Sequence, residues 1–284
     1  MIIRLVVAAM SFVLATAAPA VAEREVIGNF QPFGHGSFHA YPGMWSLYAD
    51  RTMGLGRAAV ENVDFVSSIE VNRSTFPGQS VIRWRVPDKA SPTAGIYGYL
   101  QLSYGSFSGS VVPERVQPAR VRDIDVLTLE VDFDRSGDSG FNILNETFLL
   151  LDPHDPSSTL LEVGVFMQLS KSGEVYFSQA QQLGRFTDAA GRVWKVAVDP
   201  AAPQAPFVMF QPVEAWGERG SIDWKELLEF VRRSGLADGS EWFTGIALGV
   251  EPVAGAGKLS VKEFHVTYKA ASPRLSARFQ EPGL

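Results

Sequence analysis

Apolar and polar residues alternate with a period of two along much of this chain. Between residues 80 and 86, Ile82 and Trp84 fall on one side while Arg83 and Arg85 fall on the other. This alternation is typical of half-buried β-strands. The other predicted strands cover residues 97–104, 127–133, 141–151, 160–169, 193–198, 207–211, 243–251 and 258–268. Many short strands separated by turn-forming residues, without alternating helices, indicate an all-β antiparallel sandwich.

One segment has the spacing of a helix instead. Its apolar residues recur at i, i+3, i+4 and i+7, namely Trp224, Leu227, Leu228 and Val231. Ser221 can cap the N-terminus of this helix, and Gly235 can supply the left-handed residue that ends it. The pattern therefore predicts one helix over about 222–233, packed on the sandwich.

The N-terminus has the pattern of a secretory signal peptide. Arg4 precedes a mostly apolar run over residues 5–18, and Ala20-Val21-Ala22 offers a small-x-small cleavage site. The apolar run is shorter than the roughly 20 residues of a membrane span, which disfavours an anchor. We predict a signal peptide over residues 1–22 and export to the periplasm or the medium of a bacterium. The mature chain, residues 23–284, is expected to form a single domain without membrane contact.

Composition narrows the classes of function. Lys and Arg number 25 against 31 Asp and Glu, a formal net charge of −6. This balance disfavours a nucleic-acid binder, because phosphate neutralisation needs a basic face. The chain has no cysteine, which excludes disulfides, thiolate nucleophiles and Cys-type metal sites. The histidines share no metal-ligand spacing and are expected on the surface or in loops: His35, His39, His154 and His265.

One predicted strand carries a glutamate on an unusual face. The odd positions from 161 to 169 are all apolar and predict the core face. The even positions hold Glu162, Gly164, Phe166 and Gln168, a set that suggests the floor of a groove rather than a solvated face. The alternative is that Glu162 is an ordinary exposed strand residue.

A second strand repeats this arrangement. On one face Gly245, Ala247 and Gly249 lead to Glu251. Glycine in a strand interior costs stability, so such a row indicates that something lies close against the sheet. We expect a flat sugar chain there, and the alternative is a second sheet or loop packed closely on that face.

Paired carboxylates across a groove suit the cleavage of glycosidic bonds. One carboxylic acid protonates the leaving oxygen, and a second carboxylate attacks the anomeric carbon or activates water. A separation of about 5–5.5 Å gives retention of configuration, and roughly 6.5–9.5 Å gives inversion. The acid needs a pKa that is raised by burial or by a neighbouring negative charge.

The two glutamate segments resemble those of glycoside hydrolase family 12. Residues 162–167 (Glu-Val-Gly-Val-Phe-Met) are similar to the family's Glu-Ile-Met-Ile-Trp-Leu strand, and residues 249–255 (Gly-Val-Glu-Pro-Val-Ala-Gly) to its Gly-Thr-Glu-Pro-Phe-x-Gly segment. Residues 191–194 resemble the family's Gly-x-x-Trp strand, and residues 142–149 a strand with an acidic residue beside the nucleophile. Residues 98–105 resemble its Gly-Tyr-Pro and Tyr-Gly element. The match covers about residues 97–268 and is best from residue 140 onward.

The resemblance implies a fold, an activity and a set of roles. The family fold is a concanavalin-like β-jelly roll sandwich of two curved antiparallel sheets with one helix. Its concave face binds β-1,4-linked glucan, and its enzymes are retaining endo-acting cellulase-like hydrolases that need no cofactor or metal; we expect a monomer. By this resemblance Glu162 is the nucleophile, Glu251 the acid/base and Glu146 the residue that assists the nucleophile. The substrate-binding residues it implies are Phe166, Phe148, Asn142, Tyr104 and Trp45.

The aromatic set departs from the family's pattern. Phe166 and Phe148 stand where the family has Trp, and Gly164 replaces a bulky Met. No Asn-x-Trp-Gly segment is found near the N-terminus, which leaves Trp45 as the candidate stacking plate. Such rearrangements change substrate choice more readily than reaction type. The alternatives are a non-catalytic carbohydrate-binding jelly roll and a xylanase of the related family. The sequence does not choose among cellulose, mixed-linkage glucan, xyloglucan and xylan.

Overall fold

Two curved β-sheets stack face to face around one apolar core. The computed structural model describes residues 24–49, 59–89, 95–137 and 140–271. The predicted signal peptide and the residues after 271 lie outside this range. Among the described residues, no helix is long and apolar enough to cross a membrane.

The strands are numbered in chain order. The smaller sheet runs in the order β1 (Arg24–Ile27), β4 (Val66–Asn72), β5 (Ser80–Arg85), β17 (Ala256–Ala270), β8 (Ile124–Gly137) and β14 (Arg219–Asp223). The larger sheet runs in the order β11 (Gln181–Thr187), β12 (Val193–Asp199), β13 (Phe207–Pro212), β10 (Thr159–Gln168), β9 (Phe141–Leu150), β16 (Gly245–Pro252), β6 (Tyr99–Gly105), β3 (Phe38–Gly43) and β2 (Phe33–His35). Two short strands, β7 (Ala119–Arg120) and β15 (Trp242–Phe243), join its side beside β9. The all-β jelly-roll sandwich expected from the sequence is confirmed.

One pair of neighbouring strands departs from the expected antiparallel pattern. β10 and β13 are parallel, with Glu162 opposite Phe207. The chain leaves β10, passes through a helix to β11 at the edge of the sheet, and returns through β12 to β13. Parallel neighbours need a crossover of this kind, because a short hairpin reverses the chain direction.

The alternating residues of the central strands fill the space between the sheets. The predicted core face of β10 is confirmed, because Leu161, Val163, Val165 and Met167 are all buried in the main apolar cluster. Ile246, Leu248 and Val250 of β16 and Leu129, Val131 and Phe133 of β8 belong to the same cluster. The other face of the larger sheet is therefore free to form a site.

The predicted helix is present and packs against this core. It is α3 (Trp224–Arg233), which begins two residues later than expected because Ser221 still belongs to β14. Asp223 is the N-cap, and its carboxylate accepts a hydrogen bond from the Glu226 amide at 3.1 Å. Gly235 adopts the left-handed conformation that ends the helix, with φ +74°.

In the described residues the single predicted helix is joined by two further α-helices and by three short 3₁₀ helices over Phe107–Gly109, Val121–Asp123 and Pro156–Ser158. The short α1 (Ser46–Ala49) follows β3, and α2 (Lys171–Gln179) follows β10. Ser170 caps α2, since its hydroxyl accepts a hydrogen bond from the Gly173 amide at 3.1 Å. The helix buries Phe177 as its main apolar anchor. It therefore lacks the apolar stripe that reveals α3 in the sequence.

Candidate active site

Strand β9 is the middle of the face that carries the site. Its residues Asn142, Leu144, Glu146 and Phe148 lie on the groove side, whereas Ile143 lies in the main core. The strand is buried along its whole length because the core covers one face and the groove-side residues cover the other. This explains why its sequence lacks a clear apolar and polar alternation.

The register of the sheet brings three glutamates into one groove. Glu162 on β10 lies opposite Phe148 of β9, and Glu251 on β16 lies opposite Asn142 of β9. Glu146 occupies β9 between these two levels, and all three carboxylates line the same groove. The three glutamates predicted from the sequence are therefore neighbours in the structure.

Glu146 and Glu162 share a hydrogen bond between their side chains. Burial raises the pKa of Glu146 well above its ordinary value, and the negative charge of Glu162 raises it further. The pKa of Glu162 is also raised by burial, but the hydrogen bond from Glu146 opposes this rise. The arrangement favours a neutral Glu146 that donates its proton to an ionised Glu162.

Glu251 has a different partner. The side-chain amide of Asn142 donates a hydrogen bond to Oε2 of Glu251 at 2.9 Å. Burial raises the pKa of Glu251 to about 7, with an added contribution from the charge of Glu162 and an opposing one from the Asn142 hydrogen bond. A carboxyl group with this pKa is protonated in mildly acidic solution and can act as an acid.

The small residues beside the glutamates accommodate protein side chains, which corrects the expectation of a sugar lying on them. The ring of Tyr99 lies over Gly249, where an added Cβ would sit 2.5 Å from a ring carbon. Tyr99 is held there because its hydroxyl donates a hydrogen bond to the Leu144 carbonyl at 2.9 Å. Gly164 is covered in the same way by Phe207 and Leu144. Tyr99 and Phe207 thus form part of the groove lining beside the glutamates.

The groove has a volume of about 1300 Å³ and runs across the strands from β2 and β3 to β13. The segment that follows β6, from Phe107 to Pro113, forms one wall. Trp45, Ile96 and Val253 contribute to the opposite wall. Within the described residues no Lys or Arg lines the groove, and no group of three or more His, Cys, Asp or Glu side chains could hold a metal ion.

Most of the residues predicted to bind substrate line the groove, but in different roles. Trp45 is 44% exposed on the rim, where a sugar can stack on it. Phe166 and Phe148 are 3% and 8% exposed, so they belong mainly to the apolar floor. Asn142 is 4% exposed, and both ends of its amide are engaged by the protein. It therefore positions Glu251 instead of contacting a sugar.

Tyr104 is the exception among the predicted substrate-binding residues. It occupies the face of β6 opposite to Tyr99, and its ring contacts Phe38 at 5.3 Å and Tyr268 at 6.5 Å between ring centroids. It does not belong to the groove lining of the described residues. Residues an odd number of positions apart in a strand face opposite ways, so Tyr104 points between the sheets while Tyr99 points into the groove. This placement argues against a contact between Tyr104 and a sugar.

Polar residues at the β3 end of the groove were missed by sequence reasoning. His39, expected at the surface or in a loop, is 6% exposed and lines the groove next to Tyr41 and Gln101. It pairs in register with Ser103 of β6. Among the described residues, neither His39 Nδ1 nor Ser103 Oγ has a hydrogen-bond partner. The alternation of His39 and Tyr41 with Ala40 is the pattern that could have indicated a strand here. The surrounding glycine, proline and aromatic residues obscure it.

Solved structures of similar architecture are family 12 glycoside hydrolases. Endoglucanase 3 of Trichoderma harzianum matches with a TM-score of 0.68 and 16% identity, over 88% of this chain and 100% of that one. The family 12 xyloglucanase of Bacillus licheniformis matches with a TM-score of 0.65 and 13% identity, over 87% and 100% of the two chains. The Cel12A catalytic domain of Humicola grisea matches with a TM-score of 0.67 and 12% identity, over 86% of this chain and 99% of that one.

No family model and no curated protein matches the sequence. The similarity therefore concerns the architecture: the chain has the jelly-roll fold of family 12 glycoside hydrolases. This agrees with the resemblance that its glutamate segments carry.

Proposed function

We propose that this protein is a retaining glycoside hydrolase that acts on neutral β-1,4-linked glucan. The observation that carries the proposal is the convergence of three glutamates from adjacent strands in one groove, with two different hydrogen-bond environments. Glycosidic cleavage needs one ionised and one protonated carboxyl group. The pairing of Glu162 with Glu146, and of Glu251 with Asn142, supplies this difference.

In the first step Glu162 attacks the anomeric carbon while Glu251 donates its proton to the leaving oxygen. The neutral Glu146 stabilises the ionised form of Glu162 through their hydrogen bond. Glu251 is protonated below about pH 7 because of its raised pKa. The step breaks the glycosidic bond and forms a glycosyl ester on Glu162.

In the second step Glu251, now ionised, accepts a proton from water. The resulting nucleophile attacks the anomeric carbon and releases Glu162 as a carboxylate, so the product keeps its original configuration. Glu251 can act first as the acid and then as the base, because a carboxyl group with a pKa of about 7 gives up and regains a proton readily near neutral pH.

The electrostatics of the groove favour a neutral glycan. The lining holds three glutamates, of which Glu162 is the ionised one, and it has no Lys or Arg among the described residues. An acidic polysaccharide would be repelled there, because like charges at close range are costly in a poorly solvated site. Trp45 and Tyr41 offer apolar surfaces for sugar rings, and cellulose, mixed-linkage glucan, xyloglucan and xylan all meet this description.

The test is the release of reducing sugar by residues 23–284 from these four glycans, with Glu162→Gln and Glu251→Gln alongside. Each substitution is expected to lower kcat/KM by about a thousandfold or more, because it removes an essential carboxyl group. Glu130→Gln is the matched control, since Glu130 is exposed on β8 of the smaller sheet and does not line the groove. It should keep full activity.

The alternative function, a non-catalytic carbohydrate-binding jelly roll, is distinguished by the same proteins. A binder would be retarded by one of the glycans in an affinity gel, without hydrolysing it, and would tolerate Glu162→Gln. The altered aromatic floor at Phe148 and Phe166 is the feature that motivates this comparison.

We further propose that the chain is exported and acts as a monomer. The proposal of export rests on the signal peptide pattern over residues 1–22, and the monomer is carried over from the expectation of the sequence analysis. N-terminal sequencing of the exported protein should begin at Glu23, and light scattering should give the mass of one chain. Retention of residues 1–22 or a dimer mass would contradict it.

A further inference from the structure

Helix α2 lies across the concave face of the larger sheet at the β13 end of the groove. Phe177 of α2 packs in one apolar cluster with Phe166, Phe207 and Met209. Met209 on β13 is completely buried, as is Ala197 on β12. In the described structure the groove lining reaches Phe207 but neither of these residues. The helix therefore occupies the surface over which a longer groove would continue.

A hydrogen bond from Tyr176 attaches the second half of α2 to the end of strand β12. The hydroxyl of Tyr176 donates to Oδ2 of Asp199 at 2.8 Å, and Oδ1 of Asp199 accepts from the Ala201 amide at 3.0 Å. Asp199 ends β12, and the turn that follows supplies Ala202 to the groove lining. Tyr176 itself lines the groove. It thus joins the helix to the β12–β13 turn at the end of the groove.

The N-terminal end of α2 is attached to strand β9, which carries Glu146. Oδ1 of Asn142 accepts a hydrogen bond from the Ser170 amide at 2.8 Å. Gly173 packs so closely that an added Cβ would sit 2.6 Å from the same oxygen. With attachments at both sides and Phe177 buried beneath, α2 is a fixed wall of the groove.

We infer that α2 and Tyr176 close the groove at the β13 end, so that a glycan can extend only a short way past the carboxylates on that side. Neighbouring strands lie about 4.8 Å apart, so the single strand spacing from β10 to β13 leaves room for about one or two sugar units. In the other direction the groove continues past Glu251 of β16, across β6 to β3. The protein therefore releases short products from one end of its substrate, in place of the internal cleavage that the resemblance implied.

This inference rests on the proposed hydrolase function, and product mapping tests it. A β-1,4-linked hexasaccharide labelled with ¹⁸O at its reducing end is digested, and the labelled products are resolved by mass. Wild type should cleave the first or second linkage from one end at least about tenfold faster than the central linkage. Tyr176→Ala should lower that preference by roughly threefold or more, because it removes the end of the wall. Similar cleavage at all linkages by wild type would overturn the inference.

Val175→Ala is the matched control on the same helix. Val175 is 48% exposed and does not line the groove, so its removal should leave the product pattern unchanged. Thermal unfolding of both variants establishes that they are folded. If Val175→Ala and Tyr176→Ala changed the product pattern equally, the inference would also be overturned. The change could then not be attributed to the closure of the groove by Tyr176.

A binding measurement separates failure of this inference from failure of the proposed function. Glu162→Gln is titrated with tetrasaccharides that carry a bulky fluorophore at either the reducing or the non-reducing end. A closed groove should bind one of the two about tenfold more weakly than the other. Equal binding of both would overturn the closed end while leaving the hydrolase proposal intact. No binding of either, together with no hydrolysis by wild type, would overturn both.

Discussion

Asn142 holds Glu251 through an amide whose orientation is fixed by the backbone of Ser170. The Ser170 amide can only donate, so it must face Oδ1 of Asn142, which leaves Nδ2 to donate to Oε2 of Glu251 at 2.9 Å. Oε2 of Glu251 is thereby engaged as an acceptor. The proton needed for catalysis is then placed on Oε1, and the start of α2 becomes part of the support of the catalytic acid.

Asn142→Ala should move the pH dependence of activity. The Asn142 hydrogen bond stabilises the charged form of Glu251, so its loss raises the pKa of Glu251 above its value of about 7. The alkaline limb of the kcat/KM profile should shift to higher pH. The maximal rate should fall by about tenfold or more, because Glu251 loses its support.

Gln168→Ala is the control for this change. Gln168 donates to the Phe141 carbonyl at 3.3 Å, close to Asn142 in the structure but without a contact to Glu251. The alkaline limb of the kcat/KM profile of Gln168→Ala should match that of wild type. An unchanged limb in Asn142→Ala would show that the amide does not tune the acid.

Glu146→Gln should stabilise the protein in alkaline solution. The pKa of Glu146 is raised well above its ordinary value near 4.5, so the folded state binds this proton more tightly than the unfolded chain does. The contribution of Glu146 to stability is complete below its ordinary pKa and is lost as the pH rises toward the raised value. Glutamine keeps the shape and has no proton to lose.

Thermal unfolding at pH 5 and pH 8 measures this effect. Glu146→Gln should raise Tm at pH 8 by about 2–4 °C for each kcal/mol gained, with a much smaller change at pH 5. Glu130→Gln should follow wild type at both values. A loss of stability at pH 8 in Glu146→Gln would contradict a proton-binding Glu146.

Gly249→Ala should destabilise the fold at the floor of the site. The new Cβ would lie 2.5 Å from both the Tyr99 ring and the Leu100 carbonyl oxygen, which is too close without a shift of the strand. Overpacking of this kind costs about 1–3 kcal/mol. Urea unfolding measures it, and Gly217→Ala is the control, because its nearest contact is an ordinary 3.7 Å. Equal stabilities would mean that Tyr99 does not cover Gly249.

Trp45→Ala should weaken substrate binding without unfolding the protein. Trp45 is 44% exposed on the groove rim, so its loss removes a stacking surface and little core packing. KM for a soluble glucan should rise by about threefold to tenfold. Leu151→Ala, at an exposed turn that does not line the groove, should leave KM unchanged.

Tyr104→Phe addresses the one substrate-binding prediction that the structure does not support. The ring of Tyr104 lies between the sheets with Phe38 and Tyr268. Its variant should keep the wild-type KM. A rise of KM as large as that of Trp45→Ala would return Tyr104 to the substrate-binding residues.

The sequence could predict the strands that have one core face and one polar face. β5, β8 and β10 were found in this way, as was α3, because burial on one side leaves a clear period in the sequence. α2 was missed because Phe177 is its one large buried residue and no stripe results. β2 and β3 were missed because their glycine, proline and aromatic residues resemble a loop.

The sequence can predict the site residues that stand in short recognisable segments. It cannot predict the contacts that residues distant in the sequence make with them. Glu162 and Glu251 stand in recognisable local segments, so the sequence identified them. The occupants of the space above Gly164 and Gly249 come from β13 and β6, and only the register of the sheet reveals Phe207 and Tyr99 there. The role of Asn142 likewise depends on α2, a helix that the sequence pattern does not predict.

The most direct test of the account is to trap the glycosyl ester on the nucleophile. The protein is incubated with an activated 2-deoxy-2-fluoro β-glucoside or β-cellobioside, and the intact mass and the labelled peptide are determined. A covalent double displacement predicts the addition of one glycosyl group of the reagent, attached to Glu162, and no label in Glu162→Gln. Label on Glu146 or Glu251, or steady glucan hydrolysis by a protein that never forms a covalent ester, would contradict it.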